Sequence, residues 1–82
     1  MYKILLTQRA MKDLEALEKQ VRIRIIKKLK EYASKPMRDM RKLESPKIGT
    51  YRFRVGEYRV VFDVDGENLV VLRAGHRKTI YR

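Results

Sequence analysis

The stretch from Tyr51 to Phe62, Tyr-Arg-Phe-Arg-Val-Gly-Glu-Tyr-Arg-Val-Val-Phe, alternates apolar and polar residues on both sides of a glycine. Period-two alternation marks a strand with one buried face, and a glycine followed by one more residue suits a two-residue type II′ turn with glycine at the first central position. Such a turn sets the pairing: Val55 with Tyr58, Arg54 with Arg59, Phe53 with Val60, Arg52 with Val61 and Tyr51 with Phe62. Side chains then sort by face. Tyr51, Phe53, Val55, Tyr58, Val60 and Phe62 share one side and need cover, which leaves Arg52, Arg54 and Arg59 together on the other.

The cover comes from the first half of the chain. Residues 2–6 read as a short strand, and Thr7 is placed to cap a helix predicted over 8–18, with Ala10, Leu14 and Leu17 as a narrow apolar stripe. Val21, Ile25, Leu29 and Tyr32, joined by Ile26 and Ala33, continue the helical period in a second helix that Ser34-Lys35-Pro36 stops. Arg22, Arg24, Lys27, Lys28 and Lys30 lie outside that stripe, as a solvated face or as phosphate contacts. Periodicity fails over 37–50, which reads as a long connection. Asp65-Gly66 marks a second hairpin, and a two- or four-residue loop there puts Val70, Leu72, Ala74 and His76 on the arginine side. The expected fold is α+β and spans 1–82 as a single domain. An N-terminal strand and a helical hairpin precede a three-stranded antiparallel meander, all in one small sheet.

Composition narrows the chemistry. In 82 residues there is no cysteine and one histidine, so thiolate zinc sites, disulfides, cysteine nucleophiles and His-rich metal sites are absent, and no cofactor is expected. Twenty-one basic against ten acidic side chains leave a net charge of +11, which draws in polyanions: nucleic acid or an acidic protein. The longest apolar run near the start, Ile4 to Leu6, is too short for a signal segment or a membrane span, and the chain reads as cytoplasmic with no membrane partner.

Arg54 facing Arg59 across an antiparallel pair, with Arg52 diagonal to it, is unfavourable unless something anionic approaches. Arginine binds phosphate bidentately and stacks on bases, so a phosphate-binding surface is one reading, and a solvated sheet face is the other. The C-terminal run Gly75-His76-Arg77-Lys78-Thr79-Ile80-Tyr81-Arg82 gathers an imidazole, two guanidiniums, an ammonium and a phenol in eight residues. Alternation directs His76 toward the arginine face.

Taken together, Tyr-Arg-Phe-Arg-Val at 51–55, Tyr-Arg-Val-Val-Phe at 58–62 and Gly-His-Arg-Lys-Thr-Ile-Tyr-Arg at 75–82, in this order behind a strand and two helices, resemble the RelE/ParE superfamily of toxin-antitoxin toxins, and most closely its RelE branch. The resemblance covers essentially the whole chain. It implies a fold like that of small microbial ribonucleases and a ribosome-dependent endoribonuclease that cuts messenger RNA in the A site, without metal, by attack of the 2′-hydroxyl on the adjacent phosphate. Carried over by position, Arg52 and Arg54 stand where RelE toxins commonly have lysines acting on the scissile phosphate and the 2′-hydroxyl. Arg59 takes the place of a phosphate-binding arginine, and Arg77 that of the arginine stabilising the transition state. Tyr81 corresponds to the tyrosine that stacks on or orients a base, although it stands nearer the arginine than in the archetypal bacterial member. Lys78 and Arg82 join the phosphate-binding set. The implied partners are an acidic RelB-like antitoxin and the ribosome with its A-site message; the toxin alone would be monomeric, and a heterodimer or heterotetramer with the antitoxin.

Proton transfer is the demanding part of such a reaction, because a guanidinium neither accepts nor gives up a proton near neutral pH. Histidine is the residue type whose ordinary pKa suits the task, so His76 is the candidate general acid. For the base, Tyr81, Glu57, Asp63 and a group of the ribosome stand open, although Asp63 shares the arginine parity and pairing with those arginines is its more economical role. Two other functions fit the same composition: a ParE-like inhibitor of DNA gyrase that cleaves nothing, and a non-catalytic RNA- or ribosome-binding module.

Overall fold

The computed structural model describes residues 2–34 and 51–80. Chain order is β1 (Lys3–Leu6), α1 (Gln8–Glu15), α2 (Lys19–Ala33), β2 (Tyr51–Val55), β3 (Tyr58–Asp65) and β4 (Asn68–His76). The strands form one sheet in the order β1-β4-β3-β2, with β1 parallel to β4 and the other pairs antiparallel. No helix among the described residues is long and apolar enough to cross a membrane. The predicted stop at Ser34-Lys35-Pro36 lies partly, and the connection over 37–50 wholly, outside the described residues.

Thr7 begins α1 as its composition predicts. Its hydroxyl oxygen accepts from the Ala10 N–H at 3.0 Å and its O–H donates to the Leu72 carbonyl at 3.1 Å, so one side chain caps the helix and ties it to β4. The first helix is shorter than predicted. It ends at Glu15, where the Ala16 N–H reaches the carbonyls of Lys12 and Asp13 and the Leu17 N–H reaches Leu14, a tightened last turn that frees residues 16–18 to redirect the chain into α2. Ala10, Leu14, Ile25, Leu29 and Ala33 are buried against the sheet. Ile26, expected on the same stripe, is 37% exposed, because Ile25, Leu29 and Ala33 follow the four-residue period and the next position rotates away from it.

The sheet presents Tyr51, Phe53, Val55, Val60, Phe62, Leu69, Val71 and Ala74 to the helices. Phe62 stands at the centre of an aromatic group, stacked on Tyr51 with ring centroids 5.5 Å apart and tilted against Phe53 at 6.0 Å and Tyr32 at 6.3 Å. The β2–β3 register is the one the turn dictates. Gly56 has φ +59° while Glu57 keeps a negative φ, as a type II′ turn requires.

Beyond the second hairpin the predicted parity holds and then inverts. The loop is the two residues Gly66 and Glu67, and Val70 lies opposite Asp63 as expected. Phe62 then faces Val71 but Val61 faces Arg73, so Leu72 is an extra residue, a β-bulge. Past it Ala74 pairs with Val60 and is 2% exposed within the core, and His76 pairs with Tyr58. The expectation that Ala74 and His76 lie on the arginine side is therefore corrected. The physical cause is a change of neighbour along β4. Strand β1 ends at Leu6, opposite Val71, and α1 takes over the edge from there: the Thr7 N–H donates to the Val71 carbonyl at 3.0 Å, and Asp13 Oδ2 accepts from the Ala74 N–H at 3.1 Å and from Arg73 Nε at 2.9 Å. The bulge bends β4 where its edge passes from a strand to a helix.

Candidate functional site

Arg52 and Arg54 alternate with buried Tyr51, Phe53 and Val55 along β2, and their side chains are exposed on the sheet face away from the helices. Arg59 joins them from β3 and is half-buried. Arg54, Arg59 and Gly75 form one row across β2, β3 and β4, and Arg52, Val61 and Arg73 form the row two residues further from the Gly56 turn. Among the described residues, no carboxylate pairs with Arg52, Arg54 or Arg59. Asp63, on the same parity, uses one carboxylate oxygen to accept from the Val64 N–H at 2.9 Å. The like charges of Arg54 and Arg59 thus face each other with no counterion among the described residues, an arrangement that favours an external anion.

Behind this row the chain turns back on itself. The N–H groups of Thr79 and Ile80 converge on the His76 carbonyl at 2.9 and 3.0 Å, and the Thr79 hydroxyl donates to it at 3.2 Å. Ile80 is 2% exposed, and its Cβ lies 3.8 Å from where a side chain on Gly75 would begin, so the turn packs over Gly75 beside Arg59. Val61 and Ile80 are both buried yet stand outside the main core, a small apolar patch on the arginine side of the sheet. This turn carries Arg77 and Lys78, both exposed, to the end of the sheet where the Gly56-Glu57 turn lies, and the Arg77 N–H donates to the Glu57 carbonyl at 2.9 Å. Tyr81 and Arg82 lie outside the described residues.

His76 does not project into the arginine row. Its ring stands edge-on to Tyr58 with centroids 5.5 Å apart, Nε2 lies 3.1 Å from Glu57 Oε2, and Nδ1 lies 3.1 Å from the Lys78 N–H. Glu57 Oε1 in turn lies 4.0 Å from Arg77 Nη2.

Two contacts were not legible in the chain. Arg73 has the parity of the arginine face but is engaged by Asp13 and by the Ile80 carbonyl, at 3.3 Å from Nη1, so it braces the C-terminal turn. Asp13 lies outside the Ala10, Leu14 and Leu17 stripe of the first helix. The available signal is the step from Val71 to Ala74, an odd spacing between core residues that a bulge explains and simple alternation does not.

Comparison with known proteins agrees with this architecture. The family model described as the ParE toxin of the type II toxin-antitoxin system parDE matches residues 4–81. The chain is 34% identical to Toxin RelE3 of Methanocaldococcus jannaschii, covering 96% of this chain and 94% of that protein. It is 30% identical to Toxin RelG of Mycobacterium tuberculosis, covering 99% and 97% respectively. Among solved structures, the toxin-antitoxin complex RelBE2 of Mycobacterium tuberculosis contains a chain that superposes with a TM-score of 0.78 at 26% identity, over 93% of this chain and 98% of that one. A strand, two helices and a meander with an arginine-lined outer face, matched over nearly the full length by toxins of both names, place the chain in the RelE/ParE superfamily of type II toxin-antitoxin toxins.

Proposed function

We propose that this toxin is a ribosome-dependent endoribonuclease that cleaves messenger RNA in the A site, in the cytoplasm where that substrate is found. The observation that carries the reading is the cluster of guanidiniums: Arg54 and Arg59 side by side in one cross-strand row and Arg52 on the same face, none of them paired with a carboxylate among the described residues, and Arg77 presented at the row's end, where Glu57 meets it at one terminal nitrogen. A surface that only had to be soluble would spread such charges or interleave carboxylates.

In this reading Arg52 and Arg54 hold the scissile phosphate against the attacking 2′-hydroxyl, Arg59 binds a phosphate beside them, and Arg77 stabilises the charge that builds on the phosphorane. Lys78 and Arg82 bind flanking phosphates. The 2′-oxygen forms a bond to phosphorus as the bond to the 5′-oxygen breaks, giving a 2′,3′-cyclic phosphate and a 5′-hydroxyl. One proton leaves the 2′-hydroxyl and one reaches the 5′-oxygen. Arginines supply the charge stabilisation and neither proton step, so those steps fall to Tyr81 and to groups of the ribosome. Orientation of the message by the ribosome supplies much of the rate, and cleavage of naked RNA is correspondingly slow. No cofactor enters the scheme. The partner that silences the toxin is an acidic RelB-like antitoxin bound over the basic surface as a heterodimer or heterotetramer, by analogy with the RelBE2 complex that this chain resembles.

The test is primer-extension mapping of a defined message mixed with stalled ribosomes and purified toxin. Cuts within the A-site codon, absent without ribosomes and reduced about 10- to 1,000-fold by Arg77→Ala with much smaller change in ribosome affinity, are expected. An intact message with folded toxin overturns the reading. The ParE match favours a second one, inhibition of DNA gyrase, and a supercoiling assay run in parallel detects it.

A further inference from the structure

The chain's single histidine is held between the Glu57 carboxylate, the Lys78 backbone and the Tyr58 ring. Glu57 occupies the second central position of the β2–β3 turn and meets the C-terminal turn at three points. Its carbonyl accepts from the Arg77 N–H at 2.9 Å, its Oε2 lies 3.1 Å from His76 Nε2, and its Oε1 lies 4.0 Å from Arg77 Nη2. On the opposite side of the imidazole the Lys78 N–H points at Nδ1 from 3.1 Å. A backbone N–H can only donate, so Nδ1 presents its lone pair and the ring proton is on Nε2, facing the carboxylate.

Resting on the nuclease reading above, we propose that Glu57 is the positioning residue of the site: it clamps His76 as a strut and, through the strut and its own ion pair, aims Arg77 at the phosphate. Both ring nitrogens of His76 are occupied within the protein, so the imidazole holds the turn and donates no proton to the substrate. The carboxylate contacts Arg77 only at one terminal nitrogen and at 4.0 Å, which leaves the other N–H donors of the guanidinium fork for a phosphate. Residue type supports a specific role. A carboxylate beside a phosphate-binding row repels RNA, and an exposed tip in a chain of net charge +11 has no need of one.

That opposition separates a clamp from a bystander. Losing a negative charge strengthens RNA attraction, while losing the clamp disorders Arg77. Glu57→Ala is therefore expected to lower the maximal cleavage rate on ribosomes about tenfold while leaving the half-saturating toxin concentration unchanged or lower. Glu57→Gln keeps an oxygen that accepts from Nε2 and restores most of the rate. His76→Gln places an amide N–H near the position of Nε2, cannot titrate, and is expected to retain activity within about threefold with an unaltered pH–rate profile. A pH limb lost in His76→Gln makes the imidazole the acid catalyst and overturns the proposal, and so does a Glu57→Ala defect confined to binding.

A second readout needs no cleavage at all. With one imidazole in the chain, long-range proton–nitrogen correlation spectra of nitrogen-15-labelled toxin report a single ring. The expected spectrum is that of the Nε2–H tautomer in the wild type, changed to a mixture in Glu57→Ala. An Nδ1–H tautomer in the wild type, or a spectrum indifferent to Glu57, refutes the clamp even if the toxin cleaves. Absence of cleavage with the expected spectrum refutes the nuclease role and leaves the clamp as a contact of the fold alone.

Discussion

Replacing Asp13 with alanine removes the group that closes the exposed part of β4. Its Oδ2 accepts two hydrogen bonds, from the Ala74 N–H at 3.1 Å and from Arg73 Nε at 2.9 Å, and its Oδ1 lies 3.7 Å from Arg9. The Arg9 side chain is 65% exposed and its contact is long, so this pair contributes little. The other two differ in kind. Asp13 and Arg73 side chains are only 15% and 24% exposed, and Ala74 is 2% exposed, so the variant leaves a buried N–H and a mostly buried guanidinium without their acceptor. A hydrogen bond to a charged group contributes about 1.5–3 kcal/mol and an orphaned buried donor costs about 1–3 kcal/mol; with partial rescue by water the expected loss is about 3 kcal/mol. A domain of this size is stable by about 4–12 kcal/mol, so the variant folds but melts lower by about 12–24 °C. Because both donors meet the same oxygen, Asp13→Asn can present its carbonyl there and keep both bonds, and it is expected to cost about 1 kcal/mol. Urea denaturation followed by circular dichroism, with the m-value checked for constancy, measures both. Asp13→Ala within about 0.5 kcal/mol of the wild type, the level of an ordinary surface change, refutes the edge-closing role.

Thr7→Val keeps the shape of the side chain and loses both its hydrogen bonds, to the Ala10 N–H and to the Leu72 carbonyl; a stability loss of about 1–2 kcal/mol by the same denaturation assay is expected. Arg54→Ala is expected to act in opposite directions on binding and folding. Its removal relieves the cross-strand repulsion with Arg59, a gain of up to about 1 kcal/mol, while the slope of log affinity for single-stranded RNA against log salt falls by about 0.7, as for one lost phosphate contact. Fluorescence-anisotropy titration over a salt series reads the slope, and an unchanged slope removes Arg54 from the phosphate-binding set.

The arginine row and its register were readable because glycine at the first central position permits one turn, and every pairing in β2–β3 follows from that turn by counting. The fourth strand was less legible. Residues 69–72 are Leu-Val-Val-Leu, apolar throughout, so nothing in that run marks one position as the extra one. The bulge at Leu72 depends on where β1 ends and α1 begins to line the edge, a matter of residues some 65 positions apart in the chain. The same holds for Asp13 and Arg73, 60 positions apart, whose contact no local pattern announces. His76 and Glu57 were each visible as chemistry. Their meeting was not, because the inverted parity past the bulge turns His76 toward Tyr58 and the Gly56-Glu57 turn.

The parallel pairing of β1 with β4 governs the order in which the molecule can be completed. Lys3–Leu6 is an edge strand whose ladder partners are Asn68–Val71, so β1 has no place in the sheet until β4 exists. Closing so large a loop is entropically slow, while the β2–β3–β4 meander forms from near neighbours. The arginine row on β2 and β3 is thus set by local pairing, and the strand and helix from the other side of the sequence dock afterwards against β4.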